Sequence, residues 1–260
     1  MSAVGLRTSW ALGWNEARRL VLHPVYLLGA FVIVPTVGAR AATGADLPSA
    51  RQVFVVVTGV QLIWYGLMSL LAAGLVASLA RRSRAQDVLE ALPTGAAART
   101  AAHCVAVLLG PALISVLLTI GVWLLERAQD EPFGIYTAAE LAQVPAVVLG
   151  GGLLGVAAAR WLRWRGGLLV AFVGAVMGTG WILAQGRFGW LAPWTTARSM
   201  LDDPDFAGGS AGWHAVYLAL LCAFAAVFAC LPDVRRRGRL VAIGAVIVAG
   251  AAVAGWAQLP

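Results

Sequence analysis

The chain has 260 residues, of which 60% are hydrophobic and only 12% are charged, and its mean hydropathy is +0.82. About a quarter of the residues of a soluble domain are charged, so this composition excludes a protein that covers itself with a polar surface. The net charge of +7 comes from 19 basic residues, all arginine, against 12 carboxylates. Without lysine the chain can form neither a P-loop nor a Schiff base, and we expect it not to be an enzyme.

The first predicted element is an amphipathic helix over residues 4–22. One stripe of this helix carries the apolar side chains Leu6, Trp10, Trp14, Ala17 and Val21. The polar side chains lie largely off this stripe, and they are Arg7, Asn15, Arg18 and Arg19. Tryptophan and arginine on different sides are typical of a helix that lies in the membrane interface. Pro24 then ends this helix.

Seven apolar segments follow, and each is predicted to cross the membrane. Their ranges are 25–39, 53–79, 101–125, 141–161, 167–184, 215–231 and 240–257. Two of them contain a GxxxG pattern, Gly151 with Gly155 and Gly174 with Gly178, which predicts close helix packing within the chain or against a second copy. The expected fold is therefore an all-α polytopic membrane protein with one transmembrane domain over residues 1–260.

The arginines predict the orientation of these spans. With the N-terminus in the cytoplasm, the outer segments hold only five arginines and the inner segments hold the other 14 of the 19; the outer ones are Arg40, Arg51, Arg127, Arg187 and Arg198. This bias follows the positive-inside rule, so we expect a cytoplasmic N-terminus and, with seven spans, an external C-terminus. The isoelectric point is about 10.3, which in a soluble protein would suggest binding to nucleic acid. Because the arginines lie in short loops, membrane topology and anionic lipids explain this basic charge better.

Ionisable groups are almost absent from the predicted spans, because every Asp and Glu falls at a span end or in a loop. This pattern disfavours an ion-coupled carrier, an intramembrane protease and a metalloenzyme. Mild polar residues remain as candidates for a substrate pathway: Thr58, Gln61, Ser69, Ser115, Thr119 and Thr179. Gln143 is a further polar residue within a span. The alternative is that these side chains bond to neighbouring helices or to their own backbone. Three cysteines without CxxC spacing predict no metal site and no disulfide framework.

Two loops stand out by length. The cytoplasmic loop 80–100 contains a short amphipathic helix at 84–92, ended by Pro93, with Arg84, Asp87 and Glu90 beside the apolar positions Ala85, Val88, Leu89 and Leu92. It predicts either a surface linker or a helix that docks into an apolar groove of a cytoplasmic partner. The external loop 185–214 is rich in aromatic residues around Trp190, Pro193 and Trp194, which favours short interfacial helices or simple anchoring in the headgroup layer.

In this order, the features resemble the membrane-spanning subunits of type-2 ATP-binding-cassette (ABC) exporters, particularly the short actinobacterial ones. The segment WALGWNEARRLVLHP is similar to the elbow helix of that family, and RRSRAQDVLEALPTGAAARTAAH is similar to its coupling-helix segment. The loop around GWLAPW resembles the external helices of the family. The resemblance covers residues 1–231, with an interfacial helix at 1–23 and six spans within 24–231; an additional C-terminal span lies within 232–260.

The resemblance implies a permease subunit in a bacterial plasma membrane. Its partners would be a cytoplasmic P-loop ATPase and a second permease, either another copy or a homologue. Arg84, Asp87, Val88, Leu89, Glu90 and Leu92 would contact the ATPase. ATP and Mg would bind to that partner, and this chain would bind no cofactor. The substrate would be an amphipathic drug, lipid or peptide that moves outward. The alternatives are a membrane anchor or accessory subunit of an ATPase complex without transport and, less favoured, an ion-coupled secondary carrier.

Overall fold

The computed structural model describes residues 3–29, 31, 59, 61–82, 95–127, 137–164, 166–195, 209–234 and 237–259. All regular secondary structure within these ranges is helical, which confirms the predicted all-α class. Four of the helical stretches are long and apolar enough to cross a membrane: Ala96–Leu124, Ala138–Trp161, Ala211–Asp233 and Gly238–Ala257. The chain is therefore a membrane-embedded helical protein, while the number of spans, six or seven, stays a prediction. Most of the first predicted span, 25–39, lies outside the described residues.

The helices follow the predicted segments in order. They are α1 (Ala3–Val21), a π-helical segment π1 (Gln61–Tyr65) continuing into α2 (Gly66–Arg82), α3 (Ala96–Val107), π2 (Leu108–Ala112), α4 (Leu113–Arg127), α5 (Ala138–Trp161), α6 (Gly167–Leu183), a 3-10 helix η1 (Gly186–Leu191), α7 (Ala211–Cys230), a 3-10 turn η2 (Leu231–Asp233) and α8 (Gly238–Ala257). Segments α3, π2 and α4 form one continuous span. Pro111 lies inside π2.

The centre of the fold is the crossing of α2 and α5. A Cβ atom on Gly151 would overlap the carbonyl oxygen of Gly66, and a Cβ atom on Gly155 would overlap the carbonyl oxygen of Leu70. Only glycine allows the two backbones to approach so closely. The first GxxxG pattern therefore packs within the chain. It brings α2 against α5, which also packs against α7.

The second GxxxG pattern behaves differently, because Gly174 and Gly178 of α6 both face open space. Large apolar side chains on the same helix are exposed, including Leu169, Met177 and Trp181. Among the described residues, α6 therefore presents an apolar surface that the rest of the chain leaves uncovered.

The N-terminal helix packs along α3 through a row of small residues. Ser9, Gly13, Ala17 and Leu20 are buried, and a Cβ atom on Gly13 would crowd Val105. Trp10 and Trp14, which share the predicted apolar stripe with Ala17, instead face outward at 52% and 64% exposure. The predicted stripe thus divides into a protein-facing part and an outward-facing part. The outward tryptophans suit the membrane interface.

A turn at His23 separates α1 from a helical stretch over residues 24–29. The backbone N–H of Val25 donates to Nδ1 of His23 at 3.3 Å and caps the new helix start. Burial lowers the pKa of His23, which favours the neutral ring that this bond requires. The turn directs the chain so that Tyr26 packs edge-on against Tyr65.

Candidate functional site

Two polar side chains meet inside the bundle at the two π-helical segments. Ser115, three residues after π2, donates its Oγ hydrogen to Oε1 of Gln61, the first residue of π1, at 2.5 Å. Both side chains are fully buried. π-helical turns inside α-helices occur frequently at functional sites, because the extra residue redirects side chains from the regular helix face. Here π1 and the first turn of α4, directly after π2, place an amide opposite a hydroxyl across the interior.

Three polar atoms near this pair lack a partner among the described residues. They are Nε2 of Gln61, Oγ of Ser69 and Oγ1 of Thr119, and all three are buried. Ser69 lies two turns after Gln61, and Thr119 lies one turn after Ser115. An unsatisfied buried donor or acceptor costs about 1–3 kcal/mol, so native proteins retain few of them without a reason. We refer to Gln61, Ser69, Ser115 and Thr119 as the polar cluster.

The walls of the polar cluster are glycine and apolar side chains. A Cβ atom on Gly152 would lie 2.6 Å from Oγ of Ser69 and would also overlap Val107 of α3. Helices α2, α3 and α5 therefore meet beside Ser69. In this setting the free hydroxyl and amide groups face a neutral interior, which suits water or the polar part of a bound molecule.

Trp194 reaches this region from the loop after η1. Its Nε1 atom lies 3.1 Å from the position of a Cβ atom on Gly66, between Gln61 and Ser69 along the same span. This indole N–H is also buried without a partner among the described residues. Trp194 and Ser69 thus both lie beside the crossing of α2 and α5, while Gln61 and Thr119 carry further unpaired polar atoms on the two spans that the Gln61–Ser115 bond joins. Pro193 lies in the turn that carries Trp194.

The remaining polar residues that were predicted within the spans lie in different environments. Thr179 of α6 has a buried Oγ1 atom that finds no hydrogen-bond partner, in the polar cluster or elsewhere, within the part of the chain that the structure describes. Gln143, in contrast, donates from Nε2 to the carbonyl oxygen of Ala211 at 2.8 Å and joins α5 to α7. Thr58 lies outside the described residues. The structure therefore joins Gln61 and Ser115 directly, places Ser69 and Thr119 on the same two spans, and leaves Thr179 apart.

Trp190, which the sequence places in the same loop as Trp194, has a satisfied environment instead. Its side chain is fully buried, and its carbonyl oxygen accepts from Nε2 of Gln258 at 2.8 Å. Oε1 of Gln258 lies 2.9 Å from Nδ1 of His214, whose Nε2 lies 3.2 Å from the carbonyl oxygen of Thr195. We call Trp190, Thr195, His214 and Gln258 the cap network. Both ring nitrogens of His214 face acceptors, so a neutral ring donates one of these bonds and a protonated ring donates both.

The cap network shows what the seventh predicted span does within the fold. The carbonyl oxygen of Gln258, one residue after α8, accepts from the backbone N–H of Ser210 at 3.1 Å, and Tyr217 of α7 donates to the carbonyl oxygen of Leu191 at 2.9 Å. Helix α8 is thereby fixed to α7 and to η1. Sequence reasoning missed His214 and Gln258, since their partners lie 19 to 68 residues away.

A smaller set of interacting polar side chains lies at the end of the bundle opposite the cap network. Thr100 of α3 donates to Oδ2 of Asp233 at 2.5 Å, and Nε of Arg160 lies 3.7 Å from the same oxygen. Trp161 donates to the carbonyl oxygen of Phe228 at 2.8 Å. These bonds join the start of α3 to the ends of α5 and α7.

The predicted docking residues Arg84, Asp87, Val88, Leu89, Glu90 and Leu92 lie outside the described residues. The described chain resumes at Gly95, immediately before α3.

No protein-family model, curated protein or solved structure matches this chain.

Proposed function

We propose that the chain is the membrane-spanning permease subunit of an ABC exporter. It moves an amphipathic drug, lipid or peptide-like substrate outward, and a separate cytoplasmic P-loop ATPase hydrolyses the ATP. Two permeases, identical or homologous, form the transmembrane part in a bacterial plasma membrane, with the N-terminus in the cytoplasm and the C-terminus outside.

The observation that carries this proposal is the polar cluster with Trp194. Four buried polar atoms without described partners lie in a helical interior: Gln61 Nε2, Ser69 Oγ, Thr119 Oγ1 and Trp194 Nε1. They can form hydrogen bonds with the polar part of a substrate whose remainder is apolar. The described carboxylates lie at helix ends or in α1, as with Glu140 and Asp233. Coupling to ATP therefore suits this interior better than coupling to a proton or sodium ion.

The position of α3 supports a coupling role for residues 84–92. This segment precedes α3 by a few residues, and the start of α3 is bonded through Thr100 to Asp233, which also pairs with Arg160. Helix α1 also packs along α3. A displacement of residues 84–92 by the ATPase would thus move α3 together with the ends of α5 and α7.

The uncovered surface of α6 supports a second permease subunit. Gly174 and Gly178 leave space for close approach of a helix, and Leu169, Met177 and Trp181 supply apolar area beside them. Packing of small residues against a neighbouring helix is a common mode of association in membranes.

The first experiment tests the ATPase partnership. The chain is expressed in its native membrane background, and the proteins that co-purify are examined for a P-loop ATPase. We expect the double variant Val88→Asp with Leu89→Asp to lose this ATPase, because two carboxylates would occupy the predicted docking face. The double variant Gln86→Asp with Thr94→Asp adds the same charge away from that face and should keep it. Equal co-purification by both variants would contradict the docking role.

The second experiment separates a transporter from a membrane anchor. The purified complex is reconstituted into vesicles, and ATP hydrolysis is measured with a panel of amphipathic drugs, lipids and peptides. A transporter should hydrolyse ATP faster with at least one compound and move that compound across the membrane. An ATPase that remains bound but responds to no compound, with no transport, would favour the anchor function.

A further inference from the structure

An apolar groove of 440 Å³ lies between α7, α8 and η1, outside the polar cluster. Its lining includes Phe188 and Leu191 of η1, Tyr217 and Phe224 of α7, and Val248 and Trp256 of α8. The volume falls within the range of about 300 to 1,000 Å³ that is common for small-molecule sites. Val248 and Trp256 are exposed, so the groove opens on the outer surface of the bundle.

The groove runs along the C-terminal half of α8. Its lining on α8 extends from Val248 to Trp256, which is about 12 Å at about 1.5 Å per residue. All 20 residues of α8 span about 30 Å, the thickness of a hydrocarbon core, so half of the helix corresponds to one leaflet. Trp256 at the C-terminal end of α8 is 77% exposed, as expected for a side chain at headgroup depth. If α8 spans the membrane, Val248 lies near the bilayer midplane and Trp256 lies near the headgroups, so the groove occupies one leaflet.

A cation, Arg187, lies next to the groove on η1, whose Leu191 lies beside Gly255 near the C-terminal end of α8. The guanidinium carbon of Arg187 lies 5.0 Å from the ring centroid of Phe188, which itself lines the groove. Gly186, with a φ of +58°, makes the turn from α6 that positions these two residues. Among the residues that the structure describes, the lining of the groove contains no carboxylate. A guanidinium that stacks on an aromatic ring keeps its N–H donors available for phosphate.

We propose that this groove is a binding site for one anionic phospholipid of the leaflet that contains the C-terminal end of α8. One acyl chain lies between α7 and α8, and the headgroup phosphate binds Arg187. The site depends on α8 and is separate from the proposed substrate pathway. Because the orientation of the chain does not enter the argument, the proposal stands independently of the transport function.

The experiment measures lipid binding by native mass spectrometry of the purified chain in detergent micelles. The two probes are 1-palmitoyl-2-oleoyl phosphatidylglycerol and the phosphatidylcholine with the same chains. We expect the first bound lipid to be phosphatidylglycerol, with a preference of about five-fold, since one arginine near the membrane surface contributes on the order of this factor. Arg187→Gln should remove the preference, whereas Arg239→Gln, which removes a charge at the other end of α8, should keep it.

A second pair of variants tests the acyl-chain part. Ala252 lines the groove and is exposed, so Ala252→Phe should fill it without disturbing the core and weaken binding of both lipids by about ten-fold. Ala249→Phe makes the same change on an exposed position outside the groove and should bind like the unmodified chain. Equal binding of the two lipids by the unmodified chain, a preference retained in Arg187→Gln, or equal binding by the two phenylalanine variants would each overturn the proposal. A lipid-free dimer that Ala252→Phe dissociates would assign the groove to a second copy instead.

Discussion

The polar cluster and the cap network contain the same kinds of polar groups but satisfy them differently. In the cap network, Gln258 and His214 have hydrogen-bond partners on three separate segments. In the polar cluster, one bond joins Gln61 to Ser115, and the remaining buried polar atoms have no described partner. A satisfied network stabilises one arrangement of helices, whereas unpaired buried groups cost stability and are expected mainly at functional sites. The contrast supports a structural role for the cap network and the proposed binding role for the polar cluster.

The two regions also differ in what holds their helices together. Around the polar cluster the contact is between helix backbones, with Gly155 against the carbonyl oxygen of Leu70, so Gly155→Leu should cost more than about 4 kcal/mol and remove most of the folded protein. The measurement is the folded fraction by size-exclusion chromatography after mild heating. Gly174→Leu makes the same change where the glycine faces open space, and a monomeric chain should tolerate it. Similar losses in both variants would show that the backbone contact is not the cause.

In the cap network the hydrogen bonds should carry the stability. Gln258→Leu removes the hydrogen bonds that Gln258 makes to the Trp190 carbonyl oxygen and to Nδ1 of His214, at a cost of about 2 kcal/mol. We expect a marked decrease in the thermal unfolding midpoint of the purified chain. Gln185→Leu is the control, because Gln185 is exposed and bonds only within its own turn, to Trp181. An unchanged unfolding midpoint in Gln258→Leu would contradict a structural role for the cap network.

The same substitution, Trp to Phe, can be made in both regions, because Trp190 belongs to the cap network and Trp194 lies beside the polar cluster. Trp190→Phe opens space in a fully buried site next to His214 and should cost about 2 kcal/mol. Trp194→Phe removes an N–H group that has no described partner, so it should cost less than about 1 kcal/mol. Unfolding in denaturant measures both values. The reverse order would contradict the division between the two regions.

The smallest effect on stability is expected within the polar cluster itself. Combining Ser69→Ala with Thr119→Val removes two unpaired hydroxyl groups and should leave the unfolding free energy unchanged or raise it by about 1 kcal/mol. Ser78→Ala removes a hydroxyl that donates to the carbonyl oxygen of Leu75 at 3.0 Å and should lower it by up to about 1 kcal/mol. A clear loss of stability in the double variant would indicate structural partners for these hydroxyls.

Features with a local sequence signature were the most predictable. The helices at 167–183 and 238–257 match the predicted spans within two residues, since an uninterrupted apolar run and a polar break define each end. The GxxxG pattern predicted close packing, and Gly151 and Gly155 confirm it within the chain. The same pattern at Gly174 and Gly178 could not be interpreted from the sequence, because the pattern does not specify which helix covers it. Thr137 and Glu140 form a capping box that starts α5, a readable signal that the sequence analysis did not use.

Features that depend on distant partners could not be predicted. Gln61 and Ser115 were selected as separate polar residues, but their contact joins positions 54 residues apart. The N-terminal stripe divides because the small residues Gly13 and Ser9 face α3. The sequence does not show that α3 lies opposite them, so their burial could not be predicted. Likewise, the sequence gives no means of knowing that Trp190 and Trp194, four residues apart, point into different environments.

The proposed binding role of the polar cluster can be tested most directly by transport in reconstituted vesicles. The complex of the chain with its ATPase is assayed with the compound that most stimulates ATP hydrolysis, comparing Ser69→Ala with Thr119→Val against Ser78→Ala. We expect the double variant to fold and to bind the ATPase normally, yet to lose most of the substrate-stimulated hydrolysis and transport, while Ser78→Ala retains both. Full transport by a stable double variant would contradict the assignment of the polar cluster as the substrate site.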